Sequence, residues 1–171
     1  MIRATLMLAL AAPATACGAP LAPSAVTTSS FSLRSQPGES ITLGQSFDYT
    51  IANSRFIPVM DASLRTLTFT LKQPDRLDTW DLTVSAPRGQ QLRQGTYENA
   101  VSFDAAASTA PVLRFSGYGR GCTSTGRFVV LEAVYGTIGT VDRLHLTFEQ
   151  RCNGATTVLL GELYVFDAGT R

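Results

Sequence analysis

One histidine and three cysteines in 171 residues leave this chain little material for metal or imidazole chemistry. His145 alone can serve as an imidazole base or ligand, and so small a set makes no zinc or copper site. Charge is scarce too: Asp, Glu, Lys and Arg make up 16% of the chain, where an average domain has about 25%. The net charge of +1 gives no field to draw nucleic acid, and none is expected as a partner. Of the 14 basic residues only Lys72 is lysine. That bias suits anion recognition, but a GC-rich genome produces it equally well. No segment supplies the ~20 apolar residues that span a bilayer, and no stretch carries the apolar period of an amphipathic helix. There is no G-x-S-x-G elbow. Asp75, Asp78 and Asp81 lack the D-x-D-x-[DN]-G spacing of a calcium loop, so neither a metal nor another cofactor is expected.

What is present begins with an export signal. Arg3 supplies a positive start, Leu6 to Ala12 a short apolar core, and Ala14-Thr15-Ala16 a small-residue cleavage site. Cys17 follows. The tract ATAC (14–17) resembles the lipobox of bacterial lipoproteins, with Ala14 where that family usually has Leu. The resemblance implies that Cys17 is lipidated and becomes the new N-terminus. Cysteine arithmetic points the same way: an exported chain with three cysteines has one left over, and lipid on Cys17 leaves Cys122 and Cys152 as a pair. Several acyl chains on one residue give stable anchoring. The absence of Asp after Cys17 implies the outer membrane in a Gram-negative cell; ordinary secretion to the periplasm or beyond is the plainer alternative. The expected organisation is a signal peptide over 1–16, a lipidated cysteine with a small-residue tether over 17–30, and one domain over 31–171.

Alternation with a period of two runs through that domain. Phe47, Tyr49 and Ile51 alternate with polar residues, as do Leu67, Phe69 and Leu71, and again Trp80, Leu82 and Val84. Pro37-Gly38, Pro58, Pro74, Pro87 to Gly89, Gly95 and the Ala/Ser/Thr loop 104–111 punctuate these runs. The pattern predicts an all-β fold, an antiparallel β-sandwich or jelly-roll-like body of about nine or ten strands with one disulfide. The run TTVLLGELYVFD (156–167) is apolar on both parities, which predicts a strand covered on both faces.

Residues 121–128, GCTSTGRF, come close to a phosphate-binding loop. That loop needs Lys and a hydroxyl residue opening a helix, whereas Arg127 and Phe128 stand there and RFVVLEAVY (127–135) reads as a strand. GTIG (136–139) predicts a hairpin joining it to 141–150. Setting Cys122 opposite Cys152 places Val130 against Leu144, Phe128 against Leu146, Arg127 against Thr147 and Val129 against His145. Apolar then faces apolar on one side of the ribbon. The bridge closes a loop of about 31 residues and contributes roughly 3–4 kcal/mol in the chain-entropy model. The surrounding glycines let the chain turn tightly beside the sulfurs.

FSGYGRGC (115–122), GRFVVLEAVYG (126–136), FEQRCNG (148–154) and LLGEL (159–163), with WDLTVSAPRGQQLRQGTYENA (80–100), resemble an exported bacterial β-sandwich domain family with a GxGRGC…FEQxC signature. The likeness covers most of the mature chain. It implies the fold and the disulfide but no activity, and this chain has Arg151 where many relatives have His.

Two classes of function remain. The leading expectation is a lipid-anchored, extracytoplasmic binding or structural module of the cell envelope, non-catalytic, meeting an envelope glycan or a protein ligand. Tyr118, Arg120 and Arg127 beside the disulfide are its candidate binding residues. The alternative is an envelope glycan hydrolase using paired carboxylates, Glu132 with Glu149 or Glu162. Glu132 and Glu162 lie in apolar strands, so as structural groups they need partners.

Overall fold

A computed structural model of the chain describes residues 28–102, 109–136 and 139–166. The leader, Cys17, nearly all of the tether and most of the loop 104–111 lie outside the described residues. Ten strands appear among them and no helix: β1 (Ser30–Ser35), β2 (Phe47–Thr50), β3 (Arg55–Met60), β4 (Thr66–Lys72), β5 (Thr79–Ser85), β6 (Gly95–Val101), β7 (Val112–Gly117), β8 (Ser124–Tyr135), β9 (Val141–Cys152) and β10 (Leu159–Phe166). The all-β class, the strand number and the Cys122–Cys152 disulfide agree with the sequence expectation. The strands belong to one mixed sheet in the order β2-β1-β10-β9-β8-β6-β7-β5-β4-β3, curled into a half-barrel. Every pairing is antiparallel except β6 with β7, which meet only at Val101 and Val112.

Curling brings the two halves of the sheet face to face. Phe31 of β1 packs edge-on against Phe69 of β4 (5.4 Å) and Phe115 of β7 (5.8 Å). Trp80 of β5 is 1% exposed, as its parity with Leu82 and Val84 requires, and its indole N–H donates to the Tyr49 hydroxyl of β2 at 2.7 Å. A buried indole needs such a partner.

The β8–β9 hairpin has a different register from the expected one. Phe128 faces Phe148, Val130 faces Leu146 and Arg127 faces Glu149, each partner two residues further along β9 than expected. The cause is that Cys122 precedes β8: Ser124 is the residue opposite Cys152, and the bridge reaches diagonally from the segment before the strand. A shift of two preserves parity, so the inward set is unchanged. Beyond Val130 a bulge at Leu131 moves Glu132 opposite His145 and reverses the parity of β8. Glu132, expected within an apolar strand, therefore points outward.

β10 also departs from expectation. It is interior to the sheet, between β1 and β9, but only one of its faces is covered. Leu159, Gly161, Leu163 and Val165 are buried, whereas Leu160 is 44% exposed and Glu162, Tyr164 and Phe166 are half-buried. No second layer lies over that side among the described residues.

Candidate functional site

Tyr118 and Arg120 form the rim of the disulfide end. Gly117 and Arg120 exchange backbone hydrogen bonds at 2.9 Å each way, around Tyr118 (φ +53°) and Gly119 (φ +71°). Left-handed values at both central residues are those of a type I′ hairpin turn. The turn lays the Tyr118 ring on Trp80, 4.6 Å between centroids, and its hydroxyl donates to Gln73 Oε1 at 2.7 Å. The Arg120 guanidinium sits 5.7 Å from the Tyr118 ring and 5.9 Å from the Trp80 ring, and its Nε donates to the Ile41 carbonyl. Gly117 is small of necessity, because a Cβ there collides with the Trp80 ring. Both nominated side chains thus serve to cover the core. GCTSTGRF runs from the disulfide into β8 rather than into a helix.

Beneath this rim lies Glu39, a carboxylate only 3% exposed. Burial pushes its pKa up, but the Ile41 N–H (2.7 Å), the Thr42 N–H (2.8 Å) and the Thr42 and Ser35 hydroxyls outweigh this and hold it below the ordinary value. It is a structural acid that ties the 36–45 loop beside Cys152.

Arg127 stands apart from Tyr118 and Arg120, on the outer face of β1, β10, β9 and β8. Strand register lays that face out in rows. Arg34, Leu160, Glu149 and Arg127 stand side by side; next to them run Asp48, Ser32, Glu162, Thr147 and Val129; then come Ser30, Tyr164, His145 and Glu132. The short Ser32, Thr147 and Val129 lie between long rim residues, leaving a depression of about 300 Å³ whose lining includes Arg34, Arg127, Glu149, Leu160 and Glu162. A bulge at Glu98-Asn99, with Asn99 at φ +54°, turns Glu98 toward Arg127.

Each acid here has a cation or an imidazole. Arg127 meets Glu149 at 2.5 Å and Glu98 at 3.7 Å; Arg34 meets Asp48 at 2.6 Å; Glu132 meets Arg143 at 2.9 Å. Glu162 meets His145 Nε2 at 2.9 Å, and the imidazole stacks on Tyr164 with centroids 3.9 Å apart. The hydrogen bond from Arg127 holds the Glu149 carboxyl below its usual range, against the opposing effect of partial burial. Burial, with the Glu162 carboxylate alongside, pushes the Tyr164 phenol up. Of the three nominated glutamates, Glu149 and Glu162 line the depression and Glu132 does not. Asp81 accepts from the Thr70 and Thr79 hydroxyls, each at 2.7 Å. Among the described residues no three His, Cys, Asp or Glu side chains converge as metal ligands would.

Sequence reasoning missed Gln150, a buried amide that bonds to the Phe115 backbone. Its signal was a polar residue on the inward parity of FEQRC, between Phe148 and Cys152. Comparison with protein-family models, characterised sequences and solved structures finds no match for this chain.

Proposed function

We propose that this chain is a lipid-anchored, extracytoplasmic binding or structural module of the bacterial envelope that acts without catalysis, and that its ligand-facing surface is the outer face around Arg127. The observation that carries this reading is the pairing of every acid in the depression with a base, within a lining that includes Leu160 and Val129. Such a surface offers fixed donors, acceptors and some apolar area, which suits a glycan or a polar protein segment. A general acid for glycoside hydrolysis needs a raised pKa, and Glu149 is shifted the other way.

Binding of the purified chain to peptidoglycan fragments and to envelope extracts tests the surface. Arg127→Ala and Leu160→Asp are expected to weaken capture by about tenfold each, while Leu77→Asp, on a separate loop, leaves it unchanged. Capture unaffected by either outer-face change refutes the assignment. The anchor is tested separately. Membrane partitioning lost on Cys17→Ser, with processing blocked by globomycin, is expected; a wild type found soluble in the periplasm refutes it.

The hydrolase reading keeps one supporting observation, that Glu149 and Glu162 share a depression. Release of reducing ends from envelope glycan, abolished by both Glu149→Gln and Glu162→Gln, would favour it over the binding module.

A further inference from the structure

The two edges of the curled sheet do not close on each other. β3 forms one edge, and its Phe56 and Pro58 share the inward parity of buried Met60 yet remain half-exposed. Across from them stand Val141 and Val165, and a groove of about 510 Å³ lies between. Its other apolar lining comes from Ile51, Val59 and Phe166, with Ile51 62% and Val59 55% exposed at its lips. Arg55 is the one charged residue in the lining. Among the described residues Arg55 has no acidic partner, unlike Arg34, Arg127 and Arg143.

A peptide strand is a poor occupant. The Met60 N–H, on the side of β3 away from β4, is already bonded to the Gly139 carbonyl at 3.1 Å. Pro58 faces the same way and has no N–H to offer. Of the three donor positions on that side only the Phe56 N–H is left, and an edge so depleted resists strand addition. What remains is apolar wall, which asks nothing of hydrogen bonding, and one unneutralised guanidinium, whose fork matches a carboxylate. The volume is ordinary for a small-molecule site. We propose that this groove binds a free fatty acid, its hydrocarbon chain between β3 and the ends of β9 and β10 and its carboxylate at Arg55. The groove shares no lining residue with the depression at Arg127, so this site stands or falls independently of the outer-face reading.

The test uses the full chain carrying Cys17→Ser, which removes any acyl group of its own as a competitor, titrated with the fluorescent fatty acid cis-parinarate. Saturable binding of one probe per chain is expected, displaced by palmitate. Val59→Glu places a charge against the hydrocarbon and is expected to weaken binding by about tenfold or more. Ile51→Glu, at the opposite lip, repeats the measurement should Val59→Glu lower the melting temperature. Arg55→Ala is expected to weaken parinarate and palmitate alike, both being carboxylates, so that hexadecanol displaces the probe at a lower concentration than in the parent. Leu160→Glu on the outer face leaves all of these as in the parent. Non-saturable uptake, or saturable binding that neither lip variant weakens, overturns the proposal. So does an unchanged affinity for parinarate, with unchanged displacement by hexadecanol, in Arg55→Ala. Self-association abolished by Val59→Glu, with no parinarate bound, assigns the groove to a second copy instead and also overturns it.

Discussion

The side-chain amide of Gln150 pairs with the backbone of Phe115 in both directions: the Phe115 N–H donates to Oε1 at 2.7 Å, and Nε2 donates to the Phe115 carbonyl at 3.0 Å. β7 touches β6 only at Val112, so the sheet splits past that point and Phe115 has no strand partner on that side. Gln150 stands in for one, and the Ser124 hydroxyl does the same for the Leu113 carbonyl at 2.7 Å. Side chains of the β8–β9 ribbon thus seal a gap that the ladder leaves open. A buried polar residue is here a substitute for a missing neighbour.

Gln150→Leu keeps the volume and removes both bonds, leaving a buried N–H and C=O unsatisfied. The expected loss is about 2–5 kcal/mol, read as a fall in the urea midpoint with unchanged slope. An unaltered midpoint would mean that Phe115 finds other partners.

Reduction of Cys122–Cys152, or the double change to serine, releases a loop with a sequence separation of 30. The chain-entropy model predicts a loss of roughly 3–4 kcal/mol. Urea unfolding with and without reductant measures it, and equal midpoints would refute a stabilising role.

Glu39 gives stability a pH dependence of known sign. Its folded pKa lies below the ordinary value of 4.5. Its contribution is therefore complete above about 4.5 and disappears as pH falls through the lower, folded value. Glu39→Gln should be clearly less stable than wild type at pH 7, with the gap narrowing below pH 4.5. A gap that stays constant down to pH 3 would remove Glu39 as its source.

Gly126→Ala should cost as much as a core truncation, at least about 2 kcal/mol. A Cβ at this position meets the Glu149 carbonyl across the ribbon, a backbone group with no rotamer to yield. Gly154→Ala is the comparison, since its Cβ meets nothing within 4 Å, although its φ of +74° carries the smaller cost of a left-handed turn. If the two variants melt alike, the close approach of β8 and β9 is not the constraint on Gly126.

Much of the fold was legible because period-two patterning reports directly on which side chains point inward. Trp80, Phe128 and Leu146 took their expected places on that basis, and the cysteine count supplied the bridge. Bulges were not legible. The extra residue at Leu131 leaves no mark in composition, yet it reverses parity and carries Glu132 out to Arg143. The register error had a similar origin, since a disulfide constrains two sulfurs rather than two opposing Cα positions, and Cys122 bonds from the irregular segment that precedes β8. The packing of the nominated loop was not legible for a different reason. Tyr118 and Arg120 look available because glycines flank them, but those glycines allow the turn that folds both side chains onto Trp80. Arg127 was named for its closeness in sequence to the bridge; the strands carry it to the opposite face, among glutamates gathered by the hairpin register, the neighbouring β10 and the bulge in β6.

The Ser29 hydroxyl donates to the Phe166 carbonyl at 3.3 Å and accepts from the Phe166 N–H at 2.9 Å. The start of β1 and the finish of β10 are therefore fastened to each other, and a short linker joining them would let the chain be reopened elsewhere as a circular permutant of the same body. If the proposed lipid anchor at Cys17 moors the leading end, a reporter appended after the last strand would emerge on the mooring side.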